Sequence, residues 1–401
     1  MTGSIKFHFY ILVLLVLFTK CSNIDKNIHI NNIDCKIYRE AIIIPVLINN
    51  KEYLFQYDTG ATTCVSKKLA KELNLTIKDT VYGRDYYGNV STMTTSTLPE
   101  ISIGDITLKN IQICILRPIQ GLQSCGVIID GYLGNDLLPN STIHIDIKNK
   151  VFQVSNSVKP FIQDKSLIGV DFIKNNRLPY IDISFPGKNS FERVLFDTGS
   201  VNDLYRLNTT VFHEMLKKGF LSPRNIIDTI SSEYNGKGVF GKQNDNFNYI
   251  VAFDSIEILG KKIVNYKTNT FSSPSNHSIL GAKILSLGAV TIDNTKYKMY
   301  FEPYAKGSTD LSSKLGFTTH VNSDDKAIIT HVVAGSYAEK KGLKEGQQYI
   351  KINNIYFDSL SVCDKITYDW QSEYNRDTVE CLFLDFDNNE FVVSFNKKAQ
   401  Q

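Results

Sequence analysis

Two short stretches decide the reading of this chain: Tyr57-Asp58-Thr59-Gly60-Ala61 and Phe196-Asp197-Thr198-Gly199-Ser200. Each puts an Asp-Thr-Gly triplet directly after a β-prone run, Glu52-Tyr-Leu-Phe-Gln-Tyr57 in the first case and Arg193-Val-Leu-Phe196 in the second. Each is followed later by two apolar residues and a glycine, Tyr132-Leu133-Gly134 and Ile279-Leu280-Gly281. A single Asp-Thr-Gly is ordinary turn chemistry. Two at matching places, each with the same sequel, imply a duplicated unit.

Outward from the first triplet, short apolar runs at 42–48, 101–103, 106–108, 111–116, 143–147 and 151–154 read as strands, and 66–73 has Leu69, Ala70 and Leu73 at helical spacing. The same order recurs around the second triplet, with strands at 178–184, 256–259, 291–293 and 297–301 and a helical stretch at 211–217. The chain therefore reads as mostly β, with homologous lobes at 36–155 and 166–304. Residues 306–309 read as a linker, and 308–396 as a third unit of α+β type with its own apolar runs.

The paired motifs resemble the aspartic peptidases of the retropepsin-like and pepsin-like clan, and the likeness covers both lobes. It implies a bilobal β-barrel fold, with Asp58 and Asp197 as the catalytic pair meeting between the lobes. Thr59 and Thr198 would hydrogen-bond across the interface, and Gly60 and Gly199 would let the backbones approach. The physical chemistry agrees. Two carboxylates a few ångströms apart cannot both ionise, so they share a proton. The ionised member takes a proton from a water, which attacks a peptide carbonyl that the protonated member hydrogen-bonds. Such chemistry needs no cofactor and no metal. The stretch 81–90, rich in glycine and tyrosine, looks like the family's flap hairpin, with Tyr82, Tyr86 or Tyr87 leaning over the site. Ser200 follows the second triplet where Ala61 follows the first, and in this family a hydroxyl there often bonds its own catalytic carboxylate. That would make Asp197 the first to ionise.

The third unit contains Lys314-Leu315-Gly316-Phe317, Ala327-Ile-Ile-Thr-His-Val-Val333 and Tyr349-Ile-Lys-Ile-Asn353. It resembles a PDZ domain of the bacterial protease-associated kind. The resemblance implies that the Gly316-Phe317 turn receives a peptide's C-terminal carboxylate while the peptide adds as a strand. Gln347 stands where that family usually has Asp. His331, within an apolar strand, reads as a structural histidine.

The remaining sequence narrows the function class. A net charge of +3 without a basic stripe argues against a nucleic-acid partner. Lys6, the apolar run Tyr10-Ile-Leu-Val-Leu-Leu-Val-Leu-Phe18 and Cys21 form an export signal over 1–20 that resembles a bacterial lipoprotein's, with Cys21 as the lipidated residue and 21–35 as a tether. This leads to the expectation of a membrane-tethered protein facing the periplasm or cell exterior. Apart from Cys21, six of the seven cysteines remain, without zinc-site spacing. The short separations make Cys114–Cys125 and Cys363–Cys381 the cheapest bridges, with buried free thiols as the alternative. The functional expectation is an aspartic endopeptidase acting on peptides or proteins, with a PDZ-like unit that docks or regulates. The rival is a peptide-binding scaffold of the same fold without turnover.

Overall fold

The structure, a computed structural model, describes residues 30–396 except 117–121, 123–124, 163, 165–166, 168, 176–177, 188–189, 202, 232–239, 242–246, 312–314, 369 and 375. Cys21, the export signal and Lys314 lie outside the described residues. No described helix is long and apolar enough to cross a membrane.

In the first lobe, Ala41–Ile48 is an apolar run, rich in β-branched residues and buried except at Pro45 and Leu47, and Lys51–Asp58 alternates buried with half-buried positions from Tyr53 to the aspartate. They pair antiparallel, with Ile48 opposite Lys51. Asn49 and Asn50, at φ +52° and +60°, close the two-residue turn that right-handed strand twist favours. Lys51–Asp58 then pairs in parallel with Gly131–Gly134, which sets Asp58 opposite Gly134. The second lobe repeats the arrangement: Ser190–Asp197 pairs in parallel with Ser278–Gly281, and Asp197 faces Gly281. The two apolar-apolar-glycine motifs are thus the register partners of the two aspartates. Helices follow where the apolar spacing places them. Lys67–Glu72 is capped by Ser66, which accepts from the Leu69 N–H, and Thr209–Lys217 by Asn208, which accepts from the Thr210 N–H.

The lobes are joined by six antiparallel strands in the order Asn31–Ile33, Val151–Ser155, Thr142–Asp146, Gly288–Asp293, Lys298–Pro303 and Val170–Asn175. The first three precede the second lobe, and the last three belong to it. Their central seam pairs Ile143 with Ile292 and Ile145 with Val290, all at most 1% exposed. Each such side chain stabilises by about 2 kcal/mol, so the lobes share one continuous core. The expected tether of 21–35 therefore includes a strand, Asn31–Ile33, whose pairing with 152–154 was invisible in so short a run.

The third unit has a sheet in the order Phe317–Val321, Ala327–Val332, Gln348–Ile352, Thr378–Leu384, Glu390–Asn396, and the short helices Tyr337–Lys340, Val362–Thr367 and Trp370–Tyr374. Phe317 packs edge-on against Tyr349 and Phe383 in a separate core. Among the described residues, three attachments stand out in holding this unit to the lobes. Thr309–Asp310, in the expected linker, pairs with Ile263 and Val264, and buried Lys261 donates to the carbonyls of Ala305 and Gly307. Asp228 of the second lobe accepts from the Ala334 N–H and lies 3.3 Å from His331, whose other ring nitrogen is 3.0 Å from Glu345. His331 is therefore a residue of the domain junction.

The third attachment corrects the expected disulfides. Cys125 is bonded to Cys363, and Cys35, Cys64, Cys114 and Cys381 are free. Sequence distance misled because the partners' surroundings differ. Cys114 sits opposite Cys64 on paired strands in one apolar cluster, while Cys125 packs with Leu122 and Val127 in another, beside the third unit. Cys381 points into the third unit's core against the Tyr349 hydroxyl.

Candidate active site

The strand ends bring Asp58 and Asp197 together, and their carboxyl groups hydrogen-bond each other. The support around them is nearly two-fold symmetric. The Thr59 N–H donates to the Thr198 hydroxyl and the Thr198 N–H to the Thr59 hydroxyl, both at 3.0 Å. Each hydroxyl then donates across the interface, Thr59 to the Phe196 carbonyl at 2.7 Å and Thr198 to the Tyr57 carbonyl at 3.1 Å. All four groups are buried, so losing one partner would strand the other. The N–H of Gly60 donates to Asp58 Oδ1 and that of Gly199 to Asp197 Oδ1, each at 2.9 Å.

The glycines are required by space. A Cβ on Gly60 would lie 2.5 Å from the Asp197 carboxyl carbon, and one on Gly199 would lie 2.3 Å from Asp58 Oδ2. Gly134 and Gly281 sit under the loops, where a Cβ would strike the carbonyl oxygens of Ala61 and Ser200 at 2.4 and 2.6 Å. Burial pushes both aspartate carboxyls above their ordinary range, and for Asp58 the neighbouring Asp197 adds to the rise, while N–H donors oppose it. The pair therefore holds one proton to higher pH than two separate carboxyls would.

Ser200 is not placed as expected. Its hydroxyl donates to Asp203 Oδ2 at 2.9 Å rather than to the Asp197 carboxylate. An acceptor three residues on, inside the same turn, competes for the hydroxyl, and the triplet alone does not reveal it. Asp203 is raised by burial and drawn back down by the Arg206 guanidinium, 3.7 Å away, and by this hydroxyl.

The hairpin of Asp79–Arg84 and Val90–Ile103 carries the cover. Asp85 shapes its tip by accepting from the N–H groups of Tyr87 and Asn89 and from the Asn89 amide. Tyr82 points away and is 83% exposed. Tyr86 and Tyr87 instead reach the second lobe, where Tyr86 stacks on Phe271 at 4.5 Å and the Tyr87 hydroxyl accepts from Arg206 at 3.0 Å. The tip also meets that lobe where the Phe240 N–H donates to Asp85. Apolar surfaces flank the pair on each side, Cys64, Cys114, Leu116 and Tyr132 in one lobe and Leu195, Phe271 and Ile279 in the other. Arg206, Asp203 and Phe271 were missed by the sequence reading, since none stands in a motif. Among the described residues no cluster of side chains suits a metal ion.

Residues 44–137 match the aspartyl protease family, and residues 308–367 match the PDZ domain. The chain carries an aspartyl protease domain and a C-terminal PDZ domain. No curated protein matches the chain. The protease match covers the loop of Asp58 and the Gly134 motif, and the strand register of the second lobe repeats both.

In the PDZ domain, Gly316 has φ +75° and its carbonyl accepts from the Val333 N–H at 2.9 Å and the Ser336 hydroxyl at 3.3 Å. A side chain there would collide with Ser336 at 2.6 Å. Phe317 begins the strand at one end of the sheet order. Gln347 fills the turn position by accepting from the Lys344 N–H at 2.8 Å, as an aspartate would.

Proposed function

We propose that this protein is an aspartic endopeptidase in which a water held between Asp58 and Asp197 hydrolyses peptide bonds. The observation that carries the reading is the paired carboxyl geometry: two half-buried aspartates in contact, each held by a glycine N–H and levelled by the reciprocal threonine bonds. One carboxylate serves as the general base toward water. The other, protonated, donates to the substrate carbonyl and later passes a proton to the leaving nitrogen. The closing hairpin excludes water from the charge that develops.

The PDZ domain, on this reading, docks the C-terminus or an extended segment of a protein substrate at Gly316 and Phe317 by strand addition. We further propose export with Cys21 as a lipid anchor, so that the enzyme faces an extracytoplasmic space. The Cys125–Cys363 bond suits an oxidising compartment.

The test is cleavage of fluorescently labelled casein by the full chain across acidic and neutral pH. A pepstatin-type inhibitor should block it and Asp58→Asn should abolish it. Casein cleavage that survives Asp58→Asn, or none at any pH, would overturn the assignment. Cys21→Ser should move the protein from the membrane to the soluble fraction.

A further inference from the structure

Arg206 belongs to no motif, yet it occupies the junction between the cover and the second catalytic loop. It lies on Tyr205–Asn208, where it pairs with Ile279 beside the strand that carries Asp197. Its side chain is only 11% exposed. The guanidinium carbon stands 5.5 Å from the Tyr86 ring, 5.8 Å from the Tyr87 ring and 5.2 Å from the Phe271 ring. Nη1 donates to the Tyr87 hydroxyl at 3.0 Å and lies 3.7 Å from Asp203 Oδ2. Asp203 Oδ2 in turn accepts from the Ser200 hydroxyl, and the Ser200 N–H bonds the Asp197 carbonyl at 3.2 Å.

A guanidinium taken out of water needs anionic, hydrogen-bonding or π partners. Here the catalytic lobe supplies Asp203 and Phe271, and the hairpin tip supplies the other two rings and the phenol oxygen. The cage is complete only with the cover shut. When the tip lifts, Tyr86, Tyr87 and the hydrogen bond leave together, and the cation is left with Asp203 and Phe271.

We infer that Arg206 is a positioning residue that latches the flap to the second lobe and sets the Asp197 turn through Asp203 and Ser200 when the flap is closed. The inference rests on the peptidase reading for its effect on rate, whereas the latch itself is independent of turnover. Opening exposes a cation that water must hydrate, and closure restores a fixed charge at the back of the catalytic loop. The contacts of Arg206 are with Tyr86, Tyr87, Phe271 and Asp203. It acts through Tyr87 on one side and Asp203 on the other.

The experiment uses the full chain with Arg206→Met, Arg206→Lys, Tyr87→Phe and the double variant Arg206→Met/Tyr87→Phe. Two readouts are taken: hydrogen exchange of the amides at 85–89, and kcat/KM on labelled casein. Arg206→Met should speed exchange at the tip at least about tenfold and lower kcat/KM by a similar factor. Tyr87→Phe, which keeps the ring and loses one hydrogen bond, should change both about threefold. Arg206→Lys should recover part of both losses, and the double variant should be no worse than Arg206→Met, since the two residues act as one unit. Unchanged tip exchange in Arg206→Met, or losses that add in the double variant, would overturn the inference. Should Arg206→Met fail to fold, Tyr87→Phe and Arg206→Lys still decide it by the exchange readout. Casein left uncut by the wild type would remove the peptidase reading, while tip exchange would still judge the latch.

Discussion

Asp58 and Asp197 end equivalent strands, face equivalent glycines and share one threonine lattice, but the ground behind the two loops differs. Behind Asp58 the loop is closed on its own lobe. Asp136, two residues after Gly134, accepts from both the N–H and the hydroxyl of Thr63, at 3.0 and 2.7 Å, and the Thr63 hydroxyl accepts from the Gly134 N–H at 3.1 Å. Behind Asp197 the position two residues after Gly281 is Lys283, and a carboxylate from the loop itself, Asp203, faces Ser200 and Arg206, and through Arg206 the flap of the opposite lobe. A second difference lies along the strands. The position that holds Tyr53 before Asp58 holds Glu192 before Asp197. Tyr53 donates its hydroxyl to Glu72 at the lobe surface, whereas Glu192 is buried and accepts from the Tyr205 hydroxyl. Duplication has kept symmetric what touches the reacting atoms. What surrounds them has diverged: the loop of Asp58 is tied within its own lobe, and that of Asp197 is tied through Asp203 and Arg206 to the flap.

The strongest test of the symmetric part is to remove each carboxylate in turn. Asp58→Asn and Asp197→Asn should each reduce casein cleavage by at least about a thousandfold, and the double variant should be no slower than either. Losses that differ greatly between the two single variants would break the equivalence of the loops. The folds should survive, since Asn keeps an acceptor for the Gly60 or Gly199 N–H.

The next test separates the two strands. Burial holds the Glu192 carboxyl up to about 7 from an ordinary 4.5. The unfolded chain releases this proton near the lower value and the folded chain only near the higher. Stability is therefore lost as pH rises between them, by about 3 kcal/mol, and is flat on either side. Measured by urea denaturation in an Asp58→Asn background, which prevents self-digestion, Glu192→Gln should remove its share of this slope and leave the part due to Asp197 and Asp203, which burial also raises. Glu72→Gln in the other lobe should leave it in place, because its Lys51 and Tyr53 hydrogen bonds hold Glu72 below its ordinary value and its effect falls at more acidic pH. A slope as steep in Glu192→Gln as in its parent would show that the lobes do not differ in this way.

The smallest expected effect is that of Ser200→Ala. Since the hydroxyl serves Asp203, the acidic limb of the kcat/KM profile should move by less than about 0.3 pH units, with a rate loss under about fivefold. A large upward shift of that limb would mean that the hydroxyl turns to Asp197 during the reaction.

Much of this arrangement was legible from residue order alone. The two triplets and their glycine partners gave the duplicated lobes and brought Asp58 to Asp197, because strand register converts sequence pattern into position. The helical stretches were readable at 66–73 from Leu69, Ala70 and Leu73 and at 211–217, but their caps, Ser66 and Asn208, were not. What escaped were contacts made across long sequence distances. Asn31–Ile33 is too short to announce itself as a strand, and becomes one only because Val151–Ser155 offers an edge. Cys125 and Cys363 are 238 residues apart, and nothing near either names the other. Ser200 was assigned to the wrong carboxylate because Asp203 carries no motif. Arg206 was overlooked for the same reason: its role is defined by two tyrosines on the opposite lobe.

The bond between Cys125 and Cys363 closes a covalent ring that contains the whole second lobe, the connection to the PDZ domain and the start of its Val362–Thr367 helix. A backbone cut inside that ring severs the chain without separating the pieces. If the enzyme attacks its own copies, or another protease nicks a surface loop between the two cysteines, the damaged molecule keeps its full mass, its two aspartates and its PDZ domain until a reductant opens the ring. Wear of this kind would escape any assay of size under oxidising conditions, and the number of intact backbones in a preparation can be counted only after the sulfurs have been parted.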